Sequence, residues 1–272
     1  MSRLTRLSPL KDHVIYGPIY SKRIGFDIGI NLLIHPRKIC NFDCVYCQWG
    51  PTRNLITDAS EIGNWISPEL VLKELEETLA LLSVNNYHLD AVTFSGFGEP
   101  TLHPQFNYIV KEAKKIKEKY YPHSKLTLLT NSTNLDKKEL FESLVSVDHI
   151  IAKLDTAINK TFHEINKPSN KNLHINMIIV TLEQLAKQIN HLILQILLFE
   201  ADKDSFSANT SQEELAALSD AVCQIKPKEV QIYTISRAGA VDWIEPTDSD
   251  KLKELKRLID LKCGTEVQTK IY

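Results

Sequence analysis

The sequence predicts an α/β protein built from roughly six strand–helix units. The first observation is an alternation, beyond the first ~30 residues, of short β-branched or leucine-rich runs with longer segments of helical period. The second is size, since 272 residues with 43% hydrophobic content are enough to bury a full core. Such regular alternation is typical of a parallel sheet with helical crossovers, either an open doubly wound sheet or an incomplete β/α barrel. In both architectures the functional loops lie at the carboxyl ends of the strands.

The elements follow in order along the chain. The first strand is predicted at residues 29–35, and a cysteine-containing segment follows it directly. The first helix begins after the N-cap Ser67, with Pro68 at its first position. Its apolar stripe consists of Leu72, Leu75, Leu79 and Leu82. Later strands are predicted at residues 91–94, 125–129, 149–154, 192–199 and 230–234. The remaining helices are predicted at residues 106–116, 137–144, within 177–189, after a Ser211-x-x-Glu214 capping box, and at 252–258.

Composition and charge exclude several classes of protein. The core-forming composition excludes fibrous and disordered chains, and the formal net charge of -2 gives no global field toward nucleic acid or acidic lipid, although a local basic patch stays open. Residues 1–10 show no apolar segment or cleavage site of a secretory signal. The longest apolar stretch, residues 174–199, is interrupted by polar side chains well short of a ~20-residue span. We therefore expect a cytoplasmic protein with reduced thiols and no membrane contact.

Three of the five cysteines are crowded into a C-x3-C-x2-C array, at Cys40, Cys44 and Cys47. Three neighbouring thiolates need a thiophilic metal or a cluster to offset their mutual repulsion. Structural zinc takes four closed ligands, and Cys223 and Cys263 are expected to be isolated structural thiols rather than a second pair. A cubane [4Fe-4S] cluster is normally held by four cysteines, so three leave one iron open for chemistry. A zinc site completed by His35 or Asp43 is the alternative.

Other predicted strands also end on polar or glycine residues. The second strand ends in Gly96-Phe97-Gly98-Glu99-Pro100, where two of only nine glycines indicate either close backbone approach to a ligand or a tight strand-to-helix turn. The third ends at Asn131, which is also compatible with a polar turn. The fourth ends in Lys153-Leu154-Asp155, whose two charged side chains share one face of the strand. That face is either the interior of a barrel or an exposed edge with a salt bridge.

These segments, taken in order, resemble the radical SAM superfamily. The aromatic Tyr46 directly before the third cysteine and the Gly-Glu-Pro form of the second strand end carry the resemblance. It implies a partial (β/α)6 barrel of the radical SAM type. It also implies a [4Fe-4S] cluster held by Cys40, Cys44 and Cys47, and S-adenosylmethionine (SAM) chelated at the open iron. The residues implied to surround SAM are Tyr46, Gly96, Gly98, Glu99, Pro100, Asn131 and Asp155.

The chain departs from the family pattern in two places. Ser132 stands where a Thr-Asn-Gly segment would have glycine, and the fifth strand lacks the glycine-containing adenine motif of some members. In the sixth strand, Gln231 and Tyr233 alternate with aliphatic residues, which indicates a substrate chamber or a solvated face. Lys153, Gln231 and Tyr233 are the candidates for catalytic contact with a substrate.

Residues 1–28 are interpreted as a leader that packs near the cluster, and residues 29–272 as the radical SAM core with a C-terminal extension. The Tyr16-Gly17-Pro18 segment is similar to a group of Fe-S oxidoreductases related to the enzymes that form the wyosine base of tRNA. The resemblance implies an electron donor such as flavodoxin or ferredoxin, with RNA as one possible substrate. Lys22, Arg23 and Arg53 are candidates for contact with a phosphate, although solvated surface residues are the more common case. A glycyl-radical-enzyme activase and a zinc-stabilised, non-catalytic binding module are the alternative functions.

Overall fold

A computed structural model describes residues 12–202, 206 and 208–272. The interpretation of residues 1–10 as free of a secretory signal lies outside the described residues. In the described part of the chain, no helix combines the length and apolar content needed to cross a bilayer.

One curled sheet organises the fold, with the strand order β1-β2-β3-β4-β5-β6-β7-β9. Strands β2 to β7 run parallel to their neighbours, β1 pairs antiparallel with β2, β9 continues in parallel from β7, and the short β8 pairs with the end of β6. The strands are β1 Ile15–Ser21, β2 Gly25–Ile30, β3 Ala91–Phe94, β4 Lys125–Thr130, β5 His149–Lys153, β6 Leu192–Ala201, β7 Glu229–Thr234, β8 Ile244–Pro246 and β9 Gln268–Ile271. The sheet confirms the predicted partial β/α barrel.

Helices cover the convex face of this sheet. They are α1 Pro68–Val84, α2 Phe106–Tyr120, α3 Phe141–Ser146, α4 Asn159–Ile165, α5 Ile175–Ala186, α6 Gln212–Ile225 and α7 Ser249–Cys263. The hydroxyls of Ser67 and Ser211 accept hydrogen bonds from the amides of Leu70 and Glu214, which confirms both predicted helix starts. In α1 the buried stripe begins at Val71 rather than the predicted Leu72, which is only half-buried.

The two faces of the strands differ in chemistry. Side chains such as Ile28, Val92 and Leu126 belong to the main apolar core. Alternate positions on the same strands carry polar groups, among them Asp27 and Thr93, whose side chains hydrogen-bond to each other at 2.7 Å. Since successive side chains of a strand point to opposite faces, the concave face of the sheet is polar.

The first predicted strand was placed wrongly. Strand β2 begins at Gly25 and ends at Ile30, and residues 31–35 are irregular. The side chain of Asn31 accepts hydrogen bonds from the amides of Leu33 and Phe97, which replaces the strand ladder with a local turn. The elements β1, α4, β8 and β9 were not predicted, because each is short or lacks a clear apolar period.

Cys223 and Cys263 are not isolated thiols, contrary to the prediction. They lie on α6 and α7, and a disulfide joins them across 40 residues of sequence. Their sequence separation concealed the pairing, which is created by the packing of the two helices. Disulfides are uncommon in a reducing compartment, so the expectation of reduced thiols fails for this pair in the structure and the cytoplasmic assignment stays a proposal.

Removing this disulfide should lower stability without affecting the cysteine array. For the Cys223→Ser/Cys263→Ser variant we expect a loss of about 2–4 kcal/mol in the free energy of unfolding, because the crosslink restricts the unfolded chain. Urea unfolding of the oxidised wild type and the variant measures it, and the wild type treated with a thiol reductant should match the variant. Equal stability of all three samples would contradict the crosslink.

Candidate active site

The three array cysteines lie in the loop after β2, and all three are free. Backbone contacts fasten this loop to its surroundings. The amide of Ile39 donates to the Phe97 carbonyl, and the amide of Glu99 donates to the Ile39 carbonyl, both at 3.1 Å. The amide of Val45 donates to the carbonyl of Ile165, at the end of α4. The cysteine loop is therefore bonded to the loop after β3 on one side and to α4 on the other.

Glycines make the first of these contacts possible. Gly98 has φ of +144°, and a Cβ added there would lie 1.6 Å from the Ile39 carbonyl oxygen. Gly96 has φ of +151°, and its Cβ would lie 2.3 Å from Oδ1 of Asn31. Pro100 then begins a 3-10 helix, Pro100–Leu102. Gly98 thus faces the cysteine loop and Gly96 faces the side chain of Asn31, while close approach of either glycine to a ligand stays a prediction.

The carboxylate of Glu99 is fully occupied within the protein. It accepts hydrogen bonds from the amide and hydroxyl of Thr101, from the Thr130 hydroxyl at 2.9 Å and from the Asn131 amide at 2.7 Å. Four donors match the acceptor capacity of a carboxylate. Burial nevertheless raises the pKa of Glu99 above its ordinary value. Glu99 therefore links the loop after β3 to the end of β4 through hydrogen bonds and holds both in place.

Asn131 and Ser132 lie beside the array. The Asn131 side-chain amide donates to Oδ1 of Asn41 at 2.7 Å and contacts Sγ of Cys40 at 3.9 Å. Ser132 has φ of +75°, the left-handed conformation that favours glycine. Its backbone amide donates to the Thr130 hydroxyl. The serine therefore keeps the backbone form that the family's glycine would supply.

Asp155 is the centre of a buried charged network. Its carboxylate accepts from Nζ of Lys153 at 2.7 Å, from the Leu197 amide at 2.8 Å and from the hydroxyl of Tyr46. Lys153 also donates to the Tyr233 hydroxyl at 2.9 Å. Burial opposes the charge on Lys153, but the Asp155 carboxylate outweighs it and holds the Lys153 pKa above its ordinary value. Burial and the same carboxylate raise the pKa of Tyr46.

This network brings together four of the predicted site residues, Tyr46, Lys153, Asp155 and Tyr233. The predicted exposed edge pair is excluded for Lys153 and Asp155, since their side chains are only 14% and 0% exposed. Gln231 lies nearer the start of β7, where it bonds to Gln195 at 2.9 Å. Gln231 therefore belongs to the barrel interior and does not contact the Asp155 network.

Strand β1 contacts the segment after the cysteine array through aromatic side chains. The Tyr16 ring meets Trp49 edge-on at 6.0 Å, and Trp49 in turn meets Phe97 at 5.8 Å. The Tyr16 hydroxyl hydrogen-bonds to Ser95 at 2.6 Å, at the end of β3. Strand β1 thereby packs on the segment that follows Cys47.

The radical SAM superfamily model matches residues 34–206, well over half of the chain, and this span contains all three array cysteines. The chain belongs to the radical SAM superfamily. Members of this superfamily are enzymes that use a [4Fe-4S] cluster and SAM.

Relatives and solved structures agree with membership in the radical SAM superfamily. A UPF0026 protein of Synechocystis is 30% identical over 225 residues, 82% of this chain and 76% of that protein, which also places the chain in the UPF0026 family. A Brachyspira hyodysenteriae protein named GTPase Obg is 29% identical over 261 residues, 96% of this chain, and the chain spans 35% of its length.

Two solved structures share the radical SAM fold. A radical SAM methyltransferase from Sphaerobacter thermophilus superposes with a TM-score of 0.65 at 9% identity, over 93% of this chain and 68% of that one. Archaeal TYW1 superposes with a TM-score of 0.53 at 13% identity, over 87% of this chain and 72% of that one. At these identities the likeness concerns the fold alone.

The chemistry of the donor set fits a radical SAM cluster. Burial, with the nearby Cys47 thiolate, raises the pKa of Cys44 to about 12, and burial together with Cys44 raises the pKa of Cys40 further. Such thiols need positive charge beside them to ionise, which a cluster supplies. The backbone amide of Phe42 and the side-chain amide of Asn166 donate to Sγ of Cys40 and Cys44, both at 3.5 Å.

Lys38 is a site residue that the sequence analysis missed. It is 5% exposed, and its ammonium group donates to the Gly50 carbonyl. Burial lowers the pKa of Lys38, but the three cysteine thiolates outweigh burial and leave that pKa above its ordinary value. A buried cation beside three thiolates suits a centre that carries net negative charge. A lysine two residues before the first cysteine was the available signal.

The residues around the array support a zinc site less well than a cluster. Nδ1 of His35 is bonded to the amide of Arg37, and Asp43 accepts from the Thr52 amide at 2.6 Å. Among the described residues, no three His, Cys, Asp or Glu side chains converge closely enough to hold a single metal ion. A cubane instead binds each cysteine at a different iron, so its ligands stand further apart.

A methyl group at Gly98 should displace the cysteine loop and prevent iron binding. In Gly98→Ala the added Cβ collides with the Ile39 carbonyl, directly before Cys40, and the backbone at φ of +144° disfavours any L side chain. We expect the variant to bind less than about a tenth of the wild-type iron after anaerobic reconstitution. Gly63→Ala is the matched control, since a Cβ there meets nothing within 4 Å. Wild-type iron content in Gly98→Ala would contradict the close contact between the two loops.

Asp27 should make stability depend on pH. Burial raises its pKa from 3.8 to about 7, although the Thr93 hydroxyl lowers it. Between about pH 4 and 7 the unfolded carboxyl is ionised while the folded one keeps its proton, so stability falls as pH rises and levels off above 7. The expected loss is about 2–3 kcal/mol, after discounting for partial exposure.

The free energy of urea unfolding, measured from about pH 4 to 8, tests this dependence. Asp27→Asn should remove that part of the slope, whereas Asp242→Asn, at an exposed position, should keep it. An unchanged slope in Asp27→Asn would show that another group is responsible.

Proposed function

We propose that the protein cleaves SAM reductively at a [4Fe-4S] cluster and uses the product radical on a substrate held at the polar, concave side of the barrel. The observation that carries the proposal is the set of three free cysteines, in a loop bonded through Ile39 and Gly98 to the loop after β3. When bound, the cluster would supply one electron to the sulfonium of SAM, so that a carbon–sulfur bond breaks into methionine and a 5'-deoxyadenosyl radical that takes a hydrogen atom from the substrate.

The protein's own residues would hold and orient these groups. Cys40, Cys44 and Cys47 would be the cluster ligands, and Lys38 would offset their negative charge. Glu99 fixes the loop after β3, whose Gly96, Gly98, Glu99 and Pro100 would border the cofactor, and the side chains of Tyr46, Asn131 and Asp155 would surround it. Hydrogen bonds already orient these three side chains, which favours a preorganised site.

Lys153 and Tyr233 are the proposed substrate-facing residues. Both lie on the polar face, and their mutual hydrogen bond keeps the ammonium group beside the Asp155 carboxylate. Gln231 would act further inside the barrel. In the proposed division into a leader of residues 1–28 and a core of residues 29–272, the described part of the leader, from residue 12, would pack on the cysteine loop, as the contact between Tyr16 and Trp49 supports.

The finer assignments belong to the same proposal. A small electron-transfer protein such as flavodoxin or ferredoxin would reduce the cluster, in the cytoplasm. Modification of tRNA is the substrate branch that the wyosine-related group suggests. The net charge of -2 does not support binding to tRNA, which would need a local basic patch.

Anaerobic reconstitution followed by dithionite and SAM tests the function. The expected result is about four irons and four sulfides per chain, absorbance near ~400 nm and release of 5'-deoxyadenosine. Mass-spectrometric screening of tRNA and cell extract then searches for the modified product. One zinc per chain without that absorbance, and no deoxyadenosine, would overturn the proposal in favour of the zinc-stabilised module.

A further inference from the structure

A cavity lies at the opposite end of the barrel from the cysteines. It has a volume of about 580 Å³ and is lined by residues at the amino ends of β3, β4, β5 and β7, with Arg23 from the turn between β1 and β2. Volumes of this size are typical of small-molecule sites. None of its lining residues belongs to the cysteine array or the Asp155 network.

Arg23 is an unpaired cation in the wall of this cavity. Its guanidinium carbon lies 3.8 Å from the centroid of the Tyr233 ring, so the group stacks on an aromatic face. Its Nε is buried without a hydrogen-bond partner, and no ion pair to Arg23 occurs within the described residues. A planar guanidinium whose buried Nε has no partner suits an oxygen of a carboxylate or phosphate.

A second orphaned polar group lines the same cavity. Thr127, on β4, is 1% exposed, and its hydroxyl has no hydrogen-bond partner. Buried polar side chains are nearly always bonded to protein, water or a ligand, so this hydroxyl calls for a partner inside the cavity. It offers an additional donor to an anion held by Arg23.

The charges around the cavity favour an anion. Its acidic side chains are Asp90 and Glu229, and Glu229 accepts from Lys270 at 2.6 Å. Its basic side chains outnumber them, and they are Arg23, Lys125, Lys228 and Lys270. Lys125 and Lys228 at the rim form no ion pair within the described residues, and both are exposed. The cavity therefore carries positive charge that its own carboxylates do not neutralise.

We propose that this cavity binds a small anionic ligand, a carboxylate or a phosphate, with Arg23 as its anchor and the Thr127 hydroxyl as a further contact. The site lies away from the cysteine array, although Arg23 stacks on Tyr233 and Gln231 lines the cavity, so its inner wall borders two residues of the proposed substrate side. Sequence analysis named Arg23 only as a candidate for contact with a phosphate on the cluster side. The structure instead directs its guanidinium into the barrel from the end opposite the cysteines.

Isothermal titration of the full-length, cluster-loaded chain tests the site, with inorganic phosphate and succinate as the two probes in low-salt buffer. We expect saturable binding of at least one probe at one site per chain, and the preferred probe distinguishes phosphate from carboxylate. Arg23→Gln should weaken that binding by at least about tenfold, and Thr127→Val by a smaller factor. Lys22→Gln, the same change of charge at the neighbouring exposed position outside the cavity, should bind within about twofold of wild type.

Arg23→Lys is a second variant that tests the site in case Arg23→Gln misfolds. It keeps the positive charge but loses the planar guanidinium. It should also bind more weakly than wild type. Circular dichroism and iron content should match wild type in every variant. No saturable binding of either probe, or wild-type binding by Arg23→Gln, would overturn the site and leave the proposed SAM chemistry untouched.

Discussion

Cys44→Ala is expected to eliminate both the cluster and SAM cleavage. The array would provide three thiol ligands, and no other free cysteine occurs among the described residues. Two remaining thiolates would leave the cubane without a stable binding mode that keeps one iron open. We expect iron after reconstitution to fall to near background and 5'-deoxyadenosine release to drop by more than about a hundredfold. Anaerobic iron and sulfide analysis, together with product quantification by mass spectrometry, measures both.

The disulfide supplies the matched control. Cys223→Ser/Cys263→Ser removes two sulfurs at a position distant in sequence and should keep wild-type iron and deoxyadenosine, despite its lower stability. If Cys44→Ala made deoxyadenosine at the wild-type rate, the assignment of the array as the cluster site would be wrong. Loss of iron from the serine double variant would reveal a second metal site.

Asp155→Ala should be strongly destabilising. It leaves the buried ammonium of Lys153 without its carboxylate partner, and breaking a buried ion pair costs about 3–5 kcal/mol. The Leu197 amide and the Tyr46 hydroxyl lose their acceptor at the same time. Urea unfolding of the full-length chain, followed by circular dichroism, measures the loss of free energy.

A second substitution distinguishes the unpaired charge from lost packing. Asp155→Ala/Lys153→Met removes both charges and should recover the part of the loss that the unpaired ammonium causes, while the Leu197 amide and the Tyr46 hydroxyl still lack their acceptor. The exposed pair of Asp250 and Lys253 is the surface control, and Asp250→Ala should cost less than about 1 kcal/mol. Simple additivity of the two single changes at the buried pair would show that Lys153 and Asp155 are not coupled.

Sequence patterns predicted the parts of the fold that are local. Helix starts at Ser67 and Ser211 depend on capping side chains a few residues away, and both occur as expected. The alternation of strands and helices correctly predicted a parallel sheet with helical crossovers, and the resemblance to the radical SAM superfamily selected the half barrel. By contrast, the prediction of β2 failed because the side chain of Asn31 forms a turn with partners that only the folded chain supplies.

For the site, too, local features were predicted and long-range contacts were not. The cysteine array and the Gly96-to-Pro100 loop were identified from adjacent residues. The bonding of Glu99 to the end of β4, the pairing of Cys223 with Cys263 and the reach of Arg23 to Tyr233 depend on tertiary contacts across long sequence separations. Periodicity and spacing do not encode such contacts, which explains why the pairing of the two cysteines was predicted wrongly and why the contacts of Glu99 and Arg23 were missed.

Electron paramagnetic resonance of the dithionite-reduced protein, recorded with and without SAM, tests most directly whether the array holds a cluster with an open iron. The expected result is the signal of a reduced [4Fe-4S] cluster whose g values change when SAM is added, because SAM binds at the iron that no cysteine occupies. A cluster signal that is identical with and without SAM, or a chain that binds zinc and gives no such signal, would contradict the assignment.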